Sequence, residues 1–534
     1  MNSHKFSIKN IASFGDTDIF PFPVENIIFY DKSDKVEEIL NEIDSDFVNY
    51  SNTYPVEKQS ACIPTGTLGF RWATQIDPIW NAYLLSAVIK IAPDIESYRL
   101  SVNKNIIHSY RFNPDNTKFT LFDRSYGWRS FVEQSRLISD SGEYSFVVRI
   151  DISDFYTRIY HHRLENNLKR LTPKNDIVKN IMSILQDLAG NSSYGLPVGG
   201  NAARLLAEAL LTSFDNHLNI KRIKFVRFVD DFVLFAKTEG EAHRILNQSA
   251  EFLLKNEGLS IQKAKTQILS NVEYSSQVKN ILGLADSTDE DDIKKAKFLS
   301  LNLYFDPYSP TAKDDYDELK RKLLNFDILD LLRIELRKSK LHFALGRQLL
   351  HAITLLESEQ LGLALLMIMD NIKLFYPIFP QVIMTFSKCL AHASPSDQEK
   401  IIIRVCALID DGSYITLPDN NLAFVARLLS KSDLEIAEQT IDSIYVKTTS
   451  PIVRVNCVYS MINLRKHHWL SNHKQSYLTM PRSERIACII ASYVLGDEGR
   501  HWREHFKNSF TKMELIARDW AANNFQKKDW KIPL

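Results

Sequence analysis

Two adjacent acids, Asp230 and Asp231, interrupt a run of apolar and β-branched residues that extends from Phe225 to Phe235. Such a run predicts two short buried strands, and we expect the acids to form the tight turn between them. Both carboxylates would then lie at the tip of one hairpin, where their mutual repulsion must be relieved. A divalent cation would relieve it, and a simple polar turn is the alternative for so short a motif.

A third acid follows another predicted strand. Phe146–Ile150 consists mainly of strand-forming residues, and Asp151 comes directly after it. An acid at a strand end can bind a metal without being buried unpaired, although Asp151 or Asp154 could instead cap the helix predicted to continue through Leu168. Taken with the hairpin acids, Asp151 favours the metal site. Three carboxylates on adjacent strands can hold two magnesium ions, which activate a 3′ hydroxyl and stabilise the leaving pyrophosphate in nucleotidyl transfer.

A glycine-containing segment, Gly195–Asn201, lies between these acids in the sequence and precedes a strongly predicted helix, Ala202–Leu211. Glycine lets the backbone approach a ligand closely, and Asn201 is a natural helix N-cap. The segment therefore suits a floor beneath a nucleotide or a primer end. A loop and helix cap without any ligand is the alternative.

Three of these segments, taken in order, resemble motifs A, B and C of the reverse transcriptase palm: Asp151–Tyr156, Gly195–Asn201 and Phe228–Asp231. Downstream, Gly258–Thr266 resembles motif D and Ile281–Leu284 resembles motif E. Each short motif alone is common, but five of them in the expected order form a specific signal.

The resemblance implies roles for individual residues. Asp151 and Asp230 would be the main metal ligands, with Asp231 as the neighbouring carboxylate and the backbone carbonyl of Ile152 as a further ligand. The cofactor would be two Mg²⁺ ions, which Mn²⁺ could replace. Lys265 would be the catalytic lysine that protonates or neutralises the departing pyrophosphate, and a surface lysine on an amphipathic segment is the alternative.

The resemblance also implies a nucleotide site. Tyr156 falls where the family places an aromatic ring beneath the sugar, which leaves no room for a 2′ hydroxyl, so deoxynucleotides (dNTPs) should be preferred. Residues expected to contact the nucleotide are Ser153, Asp154, Phe155, Tyr156, Pro197, Val198, Gly199, Gly200, Asn201 and Arg111. Val198 departs from the family pattern, because templated enzymes usually carry glutamine there and valine cannot make the amide's hydrogen bond near the incoming nucleotide.

Arg111 belongs to a stretch, Tyr98–Phe112, in which basic and aromatic residues alternate. This pattern suits contacts with phosphates and bases, and ordinary arginine packing at a solvated surface is the alternative.

Motif B in the form Gly195–Glu208 is most similar to the abortive-infection (Abi) reverse transcriptases of bacteria and prophages, and within them to the P2-prophage type. This similarity implies antiphage defence, DNA synthesis without a template, and a closed homo-oligomer, a trimer or hexamer. It also implies priming from a tyrosine hydroxyl, so that single-stranded DNA becomes attached to the protein. Tyr30, Tyr50 and Tyr54 are the priming candidates, in an N-terminal region predicted to be largely irregular.

The rest of the chain predicts an α+β fold with an all-α C-terminal half. We expect an N-terminal region and fingers over residues 1–145, with helices at Asp34–Phe47 and Asp77–Ile91, and a palm over 146–290. Residues 291–534 predict successive helices: Ala312–Leu324, Ile328–Arg337, Phe343–Glu357, Leu361–His392, Asp397–Ile409, Asn421–Leu429, Leu434–Tyr445, Ile452–Arg465 and Ser483–Leu495. Paired helices with short loops favour a HEAT-like solenoid, and a non-repetitive bundle is the alternative.

Two smaller patterns occur in the helical half. Ser432 and Glu435 have the spacing of a capping box. Arg500 and His505 have the R-x4-H spacing of HEPN ribonucleases, although such residues are more often surface or core residues. This spacing makes a ribonuclease toxin with a sensory palm one alternative function. A templated RNA-directed DNA polymerase is the other.

Composition limits the partners and the compartment. Lys plus Arg and Asp plus Glu each number 65, so no overall positive charge marks a nucleic-acid binder and an anionic substrate must meet local basic groups. The five cysteines are widely spaced and favour reduced core thiols. No apolar run is long enough for a membrane span, so we expect a cytoplasmic protein without a membrane partner.

Overall fold

A computed structural model describes residues 2–15, 19–66, 69–282, 298–299, 326–527 and 529–534. The chain divides into two compact units, Met1–Gln59 with Ala73–Ala285, and Ser60–Trp72 with Asp286–Leu534. The last two residues of the expected motif E, Gly283 and Leu284, lie outside the described residues. So does the helix predicted at Ala312–Leu324.

The N-terminal region is helical, so the prediction of a largely irregular segment was wrong. Its elements are α1 (Ser3–Phe14), α2 (Val24–Asp31), α3 (Ser33–Ser45), α4 (Phe47–Thr53), the hairpin β1 (Lys58–Pro64) and β2 (Phe70–Ile76), and α5 (Pro78–Tyr98). Phe6, Ile8 and Ile28 are fully buried, and α1 packs on α5. Tertiary packing therefore stabilises helices whose short apolar pieces gave little local signal.

Helix α5 begins as predicted. The Asp77 carboxylate accepts hydrogen bonds from the backbone N–H groups of Ile79 and Trp80, so Asp77 is its N-cap. The helix continues past the predicted end at Ile91 to Tyr98, with Pro93 inside it. Its burial on nearly every side explains why its sequence is apolar without a clear polar face.

The palm is a four-stranded antiparallel sheet with strand order β6-β7-β5-β8. From residue 112 to residue 281 the elements are β3 (Phe112–Asp115), β4 (Thr120–Phe122), α6 (Trp128–Ser139), β5 (Phe146–Asp151), α7 (Phe155–Arg158), α8 (His161–Leu171), α9 (Asn175–Ala189), α10 (Asn201–Ile220), β6 (Lys224–Phe228), β7 (Asp231–Ala236), α11 (Glu239–Phe252), β8 (Gln267–Ser270) and α12 (Asn271–Ile281). The strands β3 and β4 form a separate two-stranded sheet.

Helices cover both faces of the palm sheet. Val147 and Val233 pack with Phe131 of α6 and Val278 of α12 on one face, whereas Phe232 contacts Phe214 of α10 with ring centroids 5.0 Å apart. A sheet buried on both faces needs nearly continuous apolar strands rather than alternating ones. This is the reason that β6 and β7 could be predicted from composition.

The second unit is helical over its described residues apart from the hairpin tip. Its helices are α13 (Ile328–Leu336), α14 (Phe343–Ile353), α15 (Ser358–Asp370), α16 (Phe379–Cys389), α17 (Pro395–Asp410), α18 (Asp419–Leu429), α19 (Glu435–Lys447), α20 (Pro451–Asn463), α21 (His467–His473), α22 (Arg482–Ala491), α23 (Gly496–Phe506) and α24 (Lys512–Phe525). Along most of this unit a helix packs on the helix two positions later: α13, α15, α17 and α19 form one row, and α14, α16, α18, α20, α22 and α24 form another.

Two equivalent ion pairs join successive helices of the second row. Arg454, the fourth residue of α20, pairs with Glu484 of α22, with 2.9 Å between nitrogen and oxygen. Arg485, the fourth residue of α22, donates to Glu514 of α24 at 3.2 Å. Each guanidinium also lies over a tyrosine ring, Arg454 over Tyr445 and Arg485 over Tyr477, at 4.1 and 4.9 Å. The same three-residue contact therefore recurs from one helix pair to the next.

Several details of the helical prediction were wrong. The span Leu361–His392 is two α-helices separated by a 3₁₀ segment containing Pro377, where the proline has no backbone N–H to donate to the preceding turn. Ser432 caps no helix: α19 starts after Leu434 and has no side-chain cap. A capping box occurs instead between Thr511 and Glu514.

The cysteines and the apolar stretches are consistent with a core role. Cys389, Cys406, Cys457 and Cys488 are buried, and all five cysteines are free thiols. Among the described residues one stretch, Ile372–His392, is long and apolar enough to cross a membrane, but half of its most apolar window is buried inside the protein.

Candidate active site

Three carboxylates lie together where β5 ends and β7 begins. Asp151 is the last residue of β5 and pairs directly with Asp231, the first residue of β7. Phe228 pairs with Asp231 across β6 and β7, so the turn consists of Val229 and Asp230. The turn was predicted at Asp230 and Asp231 but lies one residue earlier, because Asp231 takes part in the strand pairing.

Burial and neighbouring negative charges raise the proton affinity of the two hairpin acids, Asp230 and Asp231. Burial, followed by the charges of Asp231 and Asp151, raises the pKa of Asp230 to about 6. Burial and Asp151 also raise the pKa of Asp231, while Lys265 and Arg149 oppose the rise. Repulsion among partly buried acids is relieved by a cation, so the electrostatics favour a positively charged ligand here.

Lys265 is the cation that the chain itself supplies. Its Nζ donates to Asp151 Oδ1 at 3.0 Å, although the lysine side chain is two-thirds exposed. The motif D segment is held beside β5 by its backbone, because the Gln262 N–H donates to the Asp151 carbonyl at 2.7 Å and the Ser153 N–H donates to Ser260 at 2.8 Å. The sequence expectation that Lys265 lies at the acids agrees with this contact.

The donor set fits a hard divalent ion. Carboxylate and carbonyl oxygens are the ligands that Mg²⁺ takes, and the Ile152 carbonyl accepts no hydrogen bond in the described part of the chain. Across those described residues no group of three or more His, Cys, Asp or Glu side chains is arranged closely enough to hold a metal ion. Metal binding at Asp151, Asp230 and Asp231 therefore requires the carboxylates to converge further.

Tyr156 links motif A to motif B. Its carbonyl accepts a hydrogen bond from the Leu196 N–H at 2.8 Å, and its ring lies edge-on to Phe155 with centroids 5.4 Å apart. Burial raises the pKa of the Tyr156 hydroxyl well above its ordinary value, and the charges of Glu208 and Asp230 add to this effect. The ring is therefore held as a neutral apolar surface beside the catalytic turn.

The motif B loop is built on two glycines with left-handed backbone conformations, Gly195 with φ 101° and Gly199 with φ 116°. Pro197 and Val198 are buried between them. Asn201 is not the N-cap that we expected, because Gly200 holds that position and Asn201 is the first helical residue. The Asn201 amide instead donates to Asn10 Oδ1 of α1 at 3.0 Å.

Motif A differs from the capping alternative. Asp154 has φ 48° and precedes the short helix α7, but its side chain makes no capping hydrogen bond. Helix α8 starts only at His161, after Tyr160, and also has no side-chain cap. Phe155 is almost completely buried, so its side chain faces the core and cannot contact a nucleotide as expected.

Arg111 does not lie where a nucleotide could reach it, which corrects its expected role. Its guanidinium is buried and donates to Glu96 Oε1 at 2.8 Å, to the Leu100 carbonyl at 2.7 Å and to the Ile107 carbonyl at 3.2 Å. With these donors used inside the protein, Arg111 positions the chain between α5 and β3. Arg111 therefore has the alternative role of ordinary arginine packing, although its side chain is buried rather than at a solvated surface.

The sequence analysis missed a buried ionic network beneath the turn of Val229 and Asp230. Arg227 is completely buried and donates to both oxygens of Asp215 and both oxygens of Glu208. It also donates to the Val229 carbonyl at 2.9 Å, and Arg99 donates to Glu208 Oε2 at 2.6 Å. A single arginine inside the apolar run of β6 was the available sequence signal, because a buried charge must be paired.

A cavity of about 260 Å³ opens beside the carboxylates. Asp151, Asp231 and Lys265 line one side of it, and Trp128 and Arg149 line others. Arg149 precedes Asp151 by two residues on β5 and therefore projects from the same sheet face. The cavity combines cationic groups with an apolar aromatic wall, which suits a nucleotide.

The priming candidates occupy helical positions. Tyr30 is on α2 and is 62% exposed, with the Lys9 ammonium over its ring at 5.2 Å. Tyr50 is on α4, and Tyr54 directly follows that helix. The rings of Tyr50 and Tyr54 lie 5.1 Å apart.

Arg500 and His505 lie on α23 but do not converge. Five residues of an α-helix correspond to about 500°, so their side chains point about 140° apart around the axis. Arg500 instead pairs with Asp497 at 3.0 Å, and His505 packs edge-on against Phe506.

The antiparallel sheet, its paired strand-end acids and the facing lysine define the palm of a nucleotidyltransferase. Residues 95–303 match the family model described as reverse transcriptase (RNA-dependent DNA polymerase). The chain thus contains a reverse transcriptase domain and is a nucleotidyltransferase of the DNA polymerase class. Domains of this family generally use divalent metal ions and bind nucleotides and nucleic acid.

Solved structures similar to the chain include telomerases. Apo telomerase from Candida tropicalis is 11% identical, with a TM-score of 0.31 and coverage of 71% of this chain and 72% of that chain. Telomerase from Candida albicans in complex with a TWJ fragment of telomeric RNA is 12% identical, with a TM-score of 0.28 and coverage of 78% and 70%. Likeness at this level carries no functional inference. No curated protein matches the chain.

Proposed function

We propose that this protein is an Abi-type polymerase that makes DNA from deoxynucleotides by two-metal nucleotidyl transfer, without a template and primed by one of its own tyrosines. The observation that carries the polymerase chemistry is the pairing of Asp151 with Asp231, with Asp230 in the adjoining turn and Lys265 on Asp151. We expect it to act in antiphage abortive infection, as an enzyme of the P2-prophage type.

In the reaction, an acceptor hydroxyl attacks the α-phosphorus of a dNTP, the new O–P bond forms, and the bond to pyrophosphate breaks. Bound divalent ions would activate the hydroxyl and neutralise the pyrophosphate, with Asp151, Asp230 and the Ile152 carbonyl as their ligands. Lys265 transfers a proton to the pyrophosphate or neutralises it. Tyr156 supports the sugar and excludes a 2′ hydroxyl.

Two features support synthesis without a template. Val198 is buried and apolar where templated relatives carry a glutamine that reaches the incoming nucleotide. The start of α10 is also covered by α1, because Asn201 donates to Asn10 and Asn10 in turn donates to the Phe119 carbonyl. A template strand that ran past the start of α10 would have to displace α1 from it.

The helical unit supports the expected HEAT-like solenoid. Packing of each helix on the helix two positions later is the arrangement of stacked helical pairs. The recurring contacts of Arg454 with Glu484 and of Arg485 with Glu514 give it a local repeat. Such a surface would mediate the closed trimer or hexamer.

The test uses purified protein with magnesium and labelled dNTPs, without primer or template, followed by denaturing gels before and after protease. We expect label that remains with the protein, is lost in Asp230→Asn and exceeds the signal from ribonucleotides. Asp176→Asn, which changes an exposed acid on α9, is the matched control. Mass spectrometry of the labelled peptide identifies the tyrosine, with Tyr30, Tyr50 and Tyr54 as the candidates.

Incorporation only after primer and RNA template are supplied would favour a templated enzyme, as the description of the matched family suggests. Full incorporation by Asp230→Asn would contradict the assigned site. Mass measurement of the native particle tests the oligomer independently of activity.

A further inference from the structure

The turn that carries Asp230 has an unfavourable backbone. Val229 has φ 54°, the left-handed region that β-branched residues rarely adopt. A two-residue hairpin turn often uses this region, but glycine, asparagine or aspartate normally occupies it. Something other than local preference must therefore hold Val229 in place.

Arg227 supplies that hold. Its Nη1 donates at 2.9 Å to the carbonyl of Val229, the first residue of the turn, which lies two residues after Arg227. The main chain of Arg227 is tied down as well, because its N–H donates to the Ile106 carbonyl and its carbonyl accepts from the His108 N–H, both at 2.8 Å. The arginine is thus anchored at the backbone and reaches the turn with its side chain.

The guanidinium is held by two acids. Its Nε and Nη2 donate to Asp215 at 2.8 and 2.7 Å, and its Nη2 and Nη1 donate to Glu208 at 2.8 and 3.2 Å. With the bond to Val229, these contacts use all five N–H donors of the side chain. Only a planar guanidinium satisfies this geometry, and a lysine ammonium would lose most of it.

The network has balanced charges and connects distant elements. Glu208 also accepts from Arg99 and from the Ser109 hydroxyl. Arg99 follows α5, Glu208 lies on α10 and Arg227 lies on β6, so three elements meet under the turn. Burial acts to raise the pKa of Glu208, but Arg227 and Arg99 outweigh it and hold the pKa below its ordinary value, so the acid stays charged.

We propose that Arg227 is a positioning residue for nucleotidyl transfer, which holds the Val229 carbonyl and thereby presents Asp230 to the metal ions and substrate. This inference rests on the catalytic role proposed above for Asp230. Arg227 itself touches no substrate. Its effect passes through one hydrogen bond to the backbone of a strained turn.

The test is a double-mutant cycle of Arg227→Lys and Val229→Gly, measured by single-turnover dNTP incorporation. Arg227→Lys should lower the rate at saturating dNTP by about 10–100-fold, as supporting contacts to ligand groups typically do. The Mg²⁺ concentration for half-maximal rate should rise several-fold, and the KM for dNTP should change little.

Val229→Gly distinguishes positioning from a general loss of folding. Glycine adopts a positive φ without penalty, so the turn no longer needs Arg227. The loss in the logarithm of the rate should therefore be at least about a third smaller in the double variant than in Arg227→Lys alone. Such non-additivity is expected of coupled neighbours. Additive effects, or an unchanged Mg²⁺ dependence in Arg227→Lys, would overturn the proposal.

Folding is monitored by circular dichroism and thermal unfolding of each variant. If Arg227→Lys does not fold, the same cycle is run with Glu208→Gln, which keeps the side-chain shape and weakens the hold on Arg227. Asp230→Asn is assayed in parallel. Full activity of Asp230→Asn would contradict the proposed catalytic site. If Asp230→Asn is inactive and the cycle is additive, only the proposed role of Arg227 is contradicted.

Discussion

Asp151, the last residue of β5, lies directly opposite Asp231, the first residue of β7. Cross-strand neighbours in an antiparallel pair project on the same face with about 5 Å between their Cβ atoms. Two carboxylates are thereby held side by side, with Asp230 in the adjoining turn and Lys265 on Asp151. This pairing organises the candidate site.

The rate of incorporation should fall as the pH decreases through about 6. Asp230 must be ionised to bind a cation, and burial together with Asp231 and Asp151 raises its pKa to about 6. Increasing Mg²⁺ should move this acidic limb to lower pH, because cation binding favours the ionised form. Single-turnover rates between pH 5 and 8 at two Mg²⁺ concentrations provide the measurement, and a limb independent of Mg²⁺ would contradict it.

Asp230→Asn should abolish incorporation yet stabilise the metal-free fold above pH 6. The folded pKa of Asp230 is raised, so between about pH 4 and 6 the unfolded state binds fewer protons and stability falls as pH rises. Removing the ionisable group restores about 1–3 kcal/mol at pH 7.5, because one pKa unit corresponds to about 1.4 kcal/mol. Thermal unfolding with EDTA should show a higher Tm at pH 7.5 and no gain below pH 4. A Tm of Asp230→Asn at pH 7.5 equal to or below that of the unmodified protein would be evidence against repulsion among the three carboxylates.

Lys265→Met should lower the rate of the chemical step by about 10–100-fold, below the range typical of a general acid because the side chain is largely exposed. The KM for dNTP should change much less. Lys263→Met is the matched control, since Lys263 is exposed on the same segment and should leave the rate unchanged. A similar loss in both variants would point to a general effect of positive charge.

Tyr156→Ala should increase incorporation of ribonucleotides relative to deoxynucleotides by at least about 10-fold, because removing the ring makes room for a 2′ hydroxyl. Tyr156→Phe keeps the ring and should preserve discrimination. Competition between the two nucleotide types, read from product composition, provides the measurement. Unchanged discrimination in Tyr156→Ala would show that another group contacts the sugar.

Arg111→Gln should act on stability rather than on nucleotide binding. It removes one of the two arginines that pair with Glu96 and leaves the Leu100 and Ile107 carbonyls without their donor. Each buried group that loses its hydrogen-bond partner typically costs about 1–3 kcal/mol. Arg129→Gln breaks an exposed pair with Glu133 and should cost less than about 1 kcal/mol. Chemical denaturation of both variants gives the comparison, and a raised KM in Arg111→Gln at unchanged stability would restore its expected role at the nucleotide.

Local patterns were reliable wherever one segment determined the outcome. The apolar runs of β5, β6 and β7 predicted strands because both faces of the sheet are buried, and Asp77 predicted the start of α5 because a cap needs only adjacent backbone. The contact of Lys265 with Asp151 also agreed with the motif order. Asn201 was wrongly predicted as an N-cap, and the alternative of Asp154 as a cap did not hold either, because an N-cap depends on where the preceding chain enters the helix.

The roles of the buried arginines depended on residues far apart in the sequence. Arg111 could not be separated from a nucleotide ligand until Glu96 and the Leu100 carbonyl were found against it. Arg227 stood out as a charge inside an apolar strand, but its partners Asp215 and Glu208 lie on the helix α10. Pairing between elements leaves no periodic signal.

The sequence by itself determined the palm strands, the order of its motifs, the three acids and the helical character of the second half, since each depends on composition and spacing along one segment. Only the tertiary structure decided that Asp231 belongs to the strand, that Val229 carries the strained turn and that Arg227 holds it. The physical reason is that backbone strain and buried charge persist only where packing from several elements supports them.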